Sequence, residues 1–237
     1  MAAAVTTHVL LDFFGTLVDY SASRTEQGYP KSYKLLTGHG ARLSYACFLA
    51  EWAAESARFD ERSARDDSEF SMTEVAAAFL SRQLGSVADP ALAAAFVATY
   101  IAEWNTGVSY PPGVAALVAD LASRFRLAIV TNTHEPRLVP DHLAAMGIAR
   151  YIDTVVTSVE IGWRQPHPAI YAEALRRLGI TAASAVFAGD SYDADYAGPQ
   201  ATGITAFLID PAGRHDIPAR QRLRSLADLP ARLRRCP

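Results

Sequence analysis

The stretch HVLLDFFGT, residues 8–16, decides the fold because it joins a short apolar run to a carboxylate and a glycine. The run from His8 to Phe14 is typical of a strand that is covered on both faces of a parallel sheet. Asp12 lies near the carboxyl end of this run. Gly15 permits a tight turn and lets backbone N–H groups approach an anion. The stretch therefore predicts a buried first strand that delivers one carboxylate to a binding loop.

Four further short apolar runs, partly β-branched, predict the rest of a sheet: Arg126–Asn132, Tyr151–Ser158, Ala185–Asp190 and Thr205–Asp210. Helical patterns lie between them, at Val114–Ser123, Arg137–Met146, Pro168–Leu178 and Asp193–Ala201. Gly147 and Gly179 follow two of these helices, where a C-terminal cap is expected. This alternation of strand and helix predicts an α/β fold with a doubly wound parallel sheet.

One region interrupts the alternation and predicts a second, all-helical domain. Between residues 20 and 108 the chain shows amphipathic helical runs at Tyr45–Phe59, Thr73–Leu84 and Pro90–Trp104. Pro90 suits the first turn of a helix, and the segment SYPPG, residues 109–113, suits the linker back to the sheet. We therefore expect an α/β core of residues 1–19 and 109–237 and a helical insertion of residues 20–108.

Bulk properties exclude several classes of protein. The chain has 237 residues, half of them hydrophobic, and a formal net charge of −3, so it lacks the basic field that nucleic acid or an anionic membrane requires. It shows neither a signal peptide nor an apolar run of membrane-spanning length. Cys47 and Cys236 match no metal or redox spacing and suit a reducing compartment. We expect a cytoplasmic protein, monomeric or homodimeric, whose Arg-rich tail, residues 214–235, is the solvated face of a terminal helix rather than an anion patch.

Polar clusters follow four of the predicted strands: Asp12, then Thr131 and Asn132, then the segment 162–168, then Asp190, Ser191 and Asp195. In an open α/β sheet the ligand binds beyond the carboxyl ends of the strands, so all four clusters are expected around one crevice. A carboxylate there can act as a nucleophile, and facing carboxylates need a cation such as Mg²⁺, which prefers oxygen ligands. A threonine hydroxyl at the second strand can donate a hydrogen bond to a phosphoryl oxygen.

These segments, read in order as DxxGT, a strand ending in TN, GxxxPxP and GDSxxxD, resemble the four motifs of the haloacid dehalogenase superfamily, in its phosphatase-like branch. The helical insertion resembles the C1-type cap of that family, and the sheet its Rossmann-like core. The resemblance implies a nucleophilic Asp12, with Thr131 and Asn132 binding the transferred group. It implies Mg²⁺ held by Asp12, the backbone carbonyl of Phe14, and Asp190, with support from Asp195. Further contacts to a small anionic substrate are expected from Gly15, Thr16, Arg24 and Arg164.

Two positions depart from the family pattern. The phosphatases carry an aspartate as general acid and base where this chain has Phe14, and a lysine where it has Gln165. General acid–base catalysis contributes typically about 10²–10⁴ in rate. Arg164, next to Gln165, is a partial substitute for the missing charge. We therefore expect poor hydrolysis of ordinary phosphate monoesters, whose leaving group needs a proton.

Three functions stay open at this point. The first is hydrolysis of a phosphorylated metabolite with a good leaving group, such as an acyl phosphate or an anhydride. The second is carbon–halogen cleavage, because halide leaves unprotonated, although the dehalogenase branch has tyrosine at the position of Phe14 and keeps the lysine. The third is a weakly active relative that binds a ligand or a partner protein; phosphonate cleavage is remote. Arg24, Glu26 and Tyr29 are the specificity candidates, because they begin the insertion.

Overall fold

The structure is a computed structural model that describes residues 5–21, 23 and 25–233. It divides into two compact units. One unit combines Met1–Asp19 with Tyr110–Pro237, and the other is the inserted segment Tyr20–Ser109. Arg24 and Cys236, which entered the sequence analysis, lie outside the described residues.

The first unit is built on a parallel sheet, and within the described residues this sheet has six strands in the order β3-β2-β1-β4-β5-β6. The strands are β1 His8–Leu11, β2 Arg126–Thr131, β3 Ile152–Thr157, β4 Ala185–Gly189, β5 Thr205–Ile209 and β6 Arg222–Leu223. Each neighbouring pair is parallel. Every residue of β1 and β4 is buried, as a central strand covered on both faces requires. The predicted α/β fold with a doubly wound parallel sheet is confirmed.

The sheet register fixes where the site forms. Leu11, the last residue of β1, pairs with Ile129 on one side and with Ala188 on the other. The residues that follow β1, β2 and β4 therefore emerge at the same edge of the sheet. This edge is where a doubly wound sheet places its ligand.

The second unit is helical: α1 Pro30–Gly38, α2 Tyr45–Ser63, α3 Met72–Leu84 and α4 Pro90–Trp104. Side chains at the start of three helices satisfy their first N–H groups. Ser44 accepts from Cys47 N, Ser71 forms a reciprocal capping box with Glu74, and Asp89 accepts from Ala91 N. The sequence predicted α2, α3 and α4, but not α1.

Aromatic side chains form the core of the helical unit. The ring of Trp52 lies 5.2 Å from those of Phe79 and Phe96 and 4.8 Å from that of Tyr100. Tyr29 is fully buried in the same core and stacks on Tyr100 at 4.7 Å. A role for Tyr29 in substrate contact does not fit this position, because its ring is core. Glu103 is buried too, and its carboxylate accepts from Lys31 N, Ser32 N and Ser32 Oγ, which joins α4 to the start of α1.

The remaining described helices belong to the α/β unit: α5 Val114–Ala122, α6 Leu138–Ala145, α7 Ser158–Ile161, α8 Pro168–Leu178, α9 Gly198–Ala201 and α10 Leu229–Leu233. A π-helical turn, Tyr192–Ala197, precedes α9. The expectation of a terminal helix along the Arg-rich tail is wrong, since its described part is mostly turns and loop around the two-residue β6 and ends in the five-residue α10. No helix among the described residues is both long and apolar enough to span a membrane.

Candidate active site

Three carboxylates meet at the edge of the sheet. One oxygen from each of Asp12, Asp190 and Asp195 lies within 4.8 Å of the other two. Asp12 follows β1, and its backbone N–H donates to the carbonyl of Ala188 in β4 at 3.0 Å. Asp12 and Asp195 are buried, with 6% and 1% of their surface exposed, whereas Asp190 is exposed. The structure thus brings together the acidic residues that the strand-end rule predicted to converge.

Thr131, the last residue of β2, fixes the orientation of Asp12. Its hydroxyl donates a 2.7 Å hydrogen bond to Oδ1 of Asp12. Thr131 is itself 1% exposed, so no solvent competes for this bond. A carboxylate held at one oxygen has a defined direction in which it faces an incoming ligand.

Burial dominates the electrostatics of the cluster. It raises the pKa of Asp12 to about 7, with a further rise from the charge of Asp190 and an opposing effect of the Thr131 hydrogen bond. Burial also raises the pKa of Asp195 well above its usual value, and the charge of Asp12 adds to that rise. The pKa of Asp190 is raised as well, because its carboxyl lies against the cluster and is partly desolvated although the residue as a whole is exposed. Three carboxylates so close together favour either bound protons or a bound cation.

Two glycines make room for the carboxylates because they have no Cβ atom. A Cβ atom on Gly189 would lie 2.4 Å from Cγ of Asp195. A Cβ atom on Gly15 would lie 2.4 Å from Oδ2 of Asp190, and Gly15 also has a positive φ of 86°. The sequence did not predict this role of Gly189, although its place immediately before Asp190 is a signal. The N–H of Gly15 donates to Val18 O at 2.8 Å, which fits the tight turn expected at this position.

Asp195 is held from two sides. The backbone N–H of Ser191 donates to its Oδ2 at 2.8 Å. The side-chain amide of Gln165 donates to its Oδ1 at 3.2 Å and to the carbonyl of Ala194, also at 3.2 Å. The side chain of Gln165 therefore points into the acidic cluster and binds its most buried member.

Asn132 is engaged with the loop that carries Gln165. Its Oδ1 accepts from Gln165 N at 2.8 Å, and its Nδ2 donates to Gln165 O at 3.2 Å. The side chain expected to bind the transferred group thus clamps a loop. A second clamp, which the sequence did not reveal, joins Ser158 to the backbone of Thr133 through its hydroxyl, at 2.9 Å and 3.2 Å.

Thr16 carries a hydroxyl that is buried beside the cluster. The residue is 8% exposed, and its Oγ1 has no well-formed hydrogen bond to any described residue. It is nevertheless close enough to Asp12 and Asp190 to lower the pKa of both. A buried hydroxyl that lies near two carboxylates without a well-formed bond to either can turn to bind an oxygen of a ligand or of a metal's hydration shell.

Phe14 brings an aromatic ring to the loop that follows β1, two residues after Asp12. It is half-buried and meets the rings of Phe13 and His142 edge-on, at 5.0 Å and 6.5 Å. His142 is held by the hydroxyl of Tyr110, 2.9 Å from Nδ1, and burial lowers its pKa. Arg164 is half-buried beside Gln165, and its carbonyl accepts from His167 N at 2.8 Å.

Comparison with known proteins agrees with this architecture. A family profile described as haloacid dehalogenase-like hydrolase matches residues 6–203. The haloacid dehalogenase-like hydrolase domain-containing protein 3 of Homo sapiens is 37% identical over 110 residues, which are 44% of this chain and 43% of that protein. The glyceraldehyde 3-phosphate phosphatase of Methanopyrus kandleri is 32% identical over 148 residues, 59% of this chain and 63% of that enzyme. The chain thus matches less than two thirds of the length of either relative.

Solved structures with the same architecture include both dehalogenases and phosphatases. A 2-haloacid dehalogenase from Pseudomonas syringae pv. Tomato has a TM-score of 0.72 at 22% identity, over 98% of this chain and 99% of that one. A phosphatase from Thermococcus onnurineus has a TM-score of 0.64 at 22% identity, over 95% and 97% of the two chains. At this identity the likeness concerns the fold, and the chemistry rests on the residues of the site.

Proposed function

Because this chain belongs to the haloacid dehalogenase-like hydrolases, we propose that it is a Mg²⁺-dependent hydrolase of a small phosphorylated metabolite with a good leaving group. The observation that carries the proposal is the Asp12–Asp190–Asp195 cluster, in which Thr131 orients Asp12 at 2.7 Å. Relatives named glyceraldehyde 3-phosphate phosphatase and ribulose-1,5-bisphosphate 5-phosphatase support a small phosphorylated substrate, whereas the good leaving group is inferred from Phe14 alone. In this proposal residues 1–19 and 109–237 are the catalytic core, and residues 20–108 are the cap that sets specificity.

The donor set fits a magnesium ion. Asp12, Asp190 and the backbone carbonyl of Phe14 would hold it, and Asp195 would support it from the buried side. The raised pKa values of all three carboxyls and the unsatisfied hydroxyl of Thr16 are the features that a cation and its hydration shell would relieve. When bound, the ion would neutralise the carboxylates and polarise a phosphoryl oxygen.

The residues of the site have separate roles in the steps of the proposed phosphoryl transfer. The carboxylate of Asp12 attacks phosphorus and forms an aspartyl phosphate while the bond from phosphorus to the leaving oxygen breaks. Water then cleaves this intermediate and regenerates the carboxylate, and both protons of that water leave with the phosphate because Phe14 accepts none. Thr131 keeps the attacking group oriented. Phe14 has no proton to give, so the bond to the leaving group breaks only where the departing oxygen is stable as an anion, as in an acyl phosphate or an anhydride.

Carbon–halogen hydrolysis is the second candidate, and Phe14 is the observation that favours it. A halide departs without a proton, and an aromatic ring beside Asp12 suits an apolar carbon. The compact set of three carboxylates favours the cation-dependent reaction instead.

A substrate screen tests the proposal. Purified protein is assayed against acyl phosphates, phosphoanhydrides, phosphate monoesters and haloacids, with Mg²⁺ and with a chelator. We expect Mg²⁺-dependent release of phosphate from the first two classes, abolished in Asp12→Asn and strongly reduced in Asp190→Asn. Halide release that persists with the chelator would replace the proposal with the second candidate. Turnover by Asp12→Asn would move the nucleophile elsewhere.

A further inference from the structure

Gln165 is a fixed part of the acidic cluster. The residue is 4% exposed, and its backbone is bound on both sides by the side chain of Asn132. Its amide nitrogen faces two oxygen acceptors, Oδ1 of Asp195 and the carbonyl of Ala194. This arrangement leaves one assignment of the amide, with the nitrogen directed at the carboxylate.

The side-chain amide of Gln165 donates hydrogen bonds but is uncharged. Its amide supplies the donors that hold Asp195 but does not offset any of the three carboxylates that lie within 4.8 Å of one another. A lysine ammonium at this position would supply donors to the same acceptors and one positive charge besides. The cluster is therefore one positive charge short of the same site with lysine.

The absence of a positive charge at position 165 affects the two ligands of the site in opposite ways. Charges a few ångströms apart in a partly buried site interact strongly, so the more negative cluster attracts a divalent cation more and repels an anionic phosphoryl group more. A phosphoryl group approaching the metal-free cluster meets the carboxylates of Asp12 and Asp190 without a compensating cation from position 165.

We propose that Gln165 is a specificity-determining residue: it holds Asp195 in place, and because its side chain carries no charge, the divalent cation must bind before the phosphoryl group. The inference rests on the proposed function, since it assumes that both ligands use this site. In this proposal the charge state of the side chain at position 165 controls the order of binding.

Calorimetry on the full chain tests the order, with Mg²⁺ alone and inorganic phosphate alone as probes. For the wild type we expect Mg²⁺ to bind in the absence of phosphate, and phosphate to bind only after Mg²⁺. Gln165→Lys is expected to weaken Mg²⁺ binding at least about tenfold and to allow phosphate to bind the metal-free protein. Gln165→Met, which removes the amide without adding charge, is expected to keep the wild-type order.

The outcomes separate the two proposals. A wild type that binds no Mg²⁺ overturns the proposed function together with the inference. A wild type that binds Mg²⁺, with a Gln165→Lys variant that binds it equally well or better, overturns the inference alone. Should Gln165→Lys fail to fold, Gln165→Glu provides the opposite test at alkaline pH, where the added carboxyl is ionised. A fourth carboxylate is then expected to tighten Mg²⁺ binding, and weaker or unchanged binding would contradict the role of charge. A phosphate complex of the metal-free wild type would also overturn the proposed order.

Discussion

The hydroxyl of Thr131 donates to Oδ1 of Asp12 at 2.7 Å, across two neighbouring strands and out of reach of solvent. The bond stabilises the ionised form of a carboxyl whose pKa burial raises to about 7. A single hydroxyl thus opposes the desolvation of the proposed nucleophile and keeps more of it ionised near neutral pH.

Thr131→Val removes this donor with little change of shape. We expect the pKa of Asp12 to rise by about one further unit, since a hydrogen bond to a charged group contributes about 1.5–3 kcal/mol in favourable cases. Calorimetry in two buffers measures how many protons are released from the protein when Mg²⁺ binds at a given pH. The pH at which this number has fallen to half of its low-pH value reports the pKa of Asp12. Thr131→Ser keeps the hydroxyl and is the control; an equal shift in both variants would argue against the bond.

Mg²⁺ affinity is expected to depend on pH through Asp12. Because burial raises the pKa of this carboxyl to about 7, the metal-free site holds a proton below that pH, and the ion must displace it. The apparent Kd should rise by up to about tenfold for each pH unit below 7 and level off above it. Affinity that stays constant between about pH 5.5 and 8.5 would show that Asp12 does not titrate as expected.

The same shift has a consequence for stability without the ion. A carboxyl whose folded pKa lies above its unfolded value of 3.8 stabilises the fold at low pH, and this contribution is lost as pH rises towards about 7. The melting temperature of the metal-free wild type should fall across this range relative to Asp12→Asn, which cannot titrate. Thermal melts in chelator at several pH values measure the difference.

Phe14→Asp supplies the missing proton donor. Hydrolysis of an alkyl phosphate monoester is expected to increase by up to about 10²–10⁴. The variant loses the contacts of the ring with Phe13 and His142, at a cost of about 1–2 kcal/mol for a half-buried aromatic side chain. Phe14→Asn shares that loss but carries no acid, so it is the matched control. A similar gain in both variants would exclude acid–base catalysis as the cause.

Gly189→Ala tests the space that Asp195 requires. The added Cβ would lie 2.4 Å from Cγ of Asp195, so the carboxylate must move. We expect weaker Mg²⁺ binding and a loss of roughly 1–3 kcal/mol in the free energy of unfolding, measured by denaturant titration. Gly38→Ala is the control, because a Cβ there meets no described atom within 4 Å and the position has no left-handed φ. Equal effects of the two substitutions would contradict the steric argument.

The sheet could be predicted from the sequence because buried parallel strands leave continuous apolar runs. All five predicted strands exist, but the first ends at Leu11 rather than Phe14. The N–H groups of Leu17 and Val18 turn back to the carbonyl of Phe13, while Phe13 and Phe14 continue the apolar pattern past the end of the strand. β6 has two residues, too few to show a period, and its Arg222 is paired with Asp210 at 3.3 Å.

The acidic cluster was predictable, and the hydrogen bonds around it were not. Strand ends alone bring Asp12 and Asp190 to one edge of the sheet. The directions of Asn132 and Gln165 depend on the path of the loop between α7 and α8, which no periodicity encodes. The space at Gly189 likewise matters only because the π-helical turn directs Asp195 back over β4.

The bond network of Glu103 bears on how such an insertion arises. One carboxylate near the end of α4 holds the first N–H groups of α1, and Tyr29 stacks on Tyr100 beside it. The segment therefore enters and leaves its helical unit at neighbouring points. A unit whose two ends meet can be gained or lost within a single surface loop while the strands on either side keep their register. The helical unit could thus be replaced by another insertion during evolution while the residues of the sheet and their chemistry stay the same.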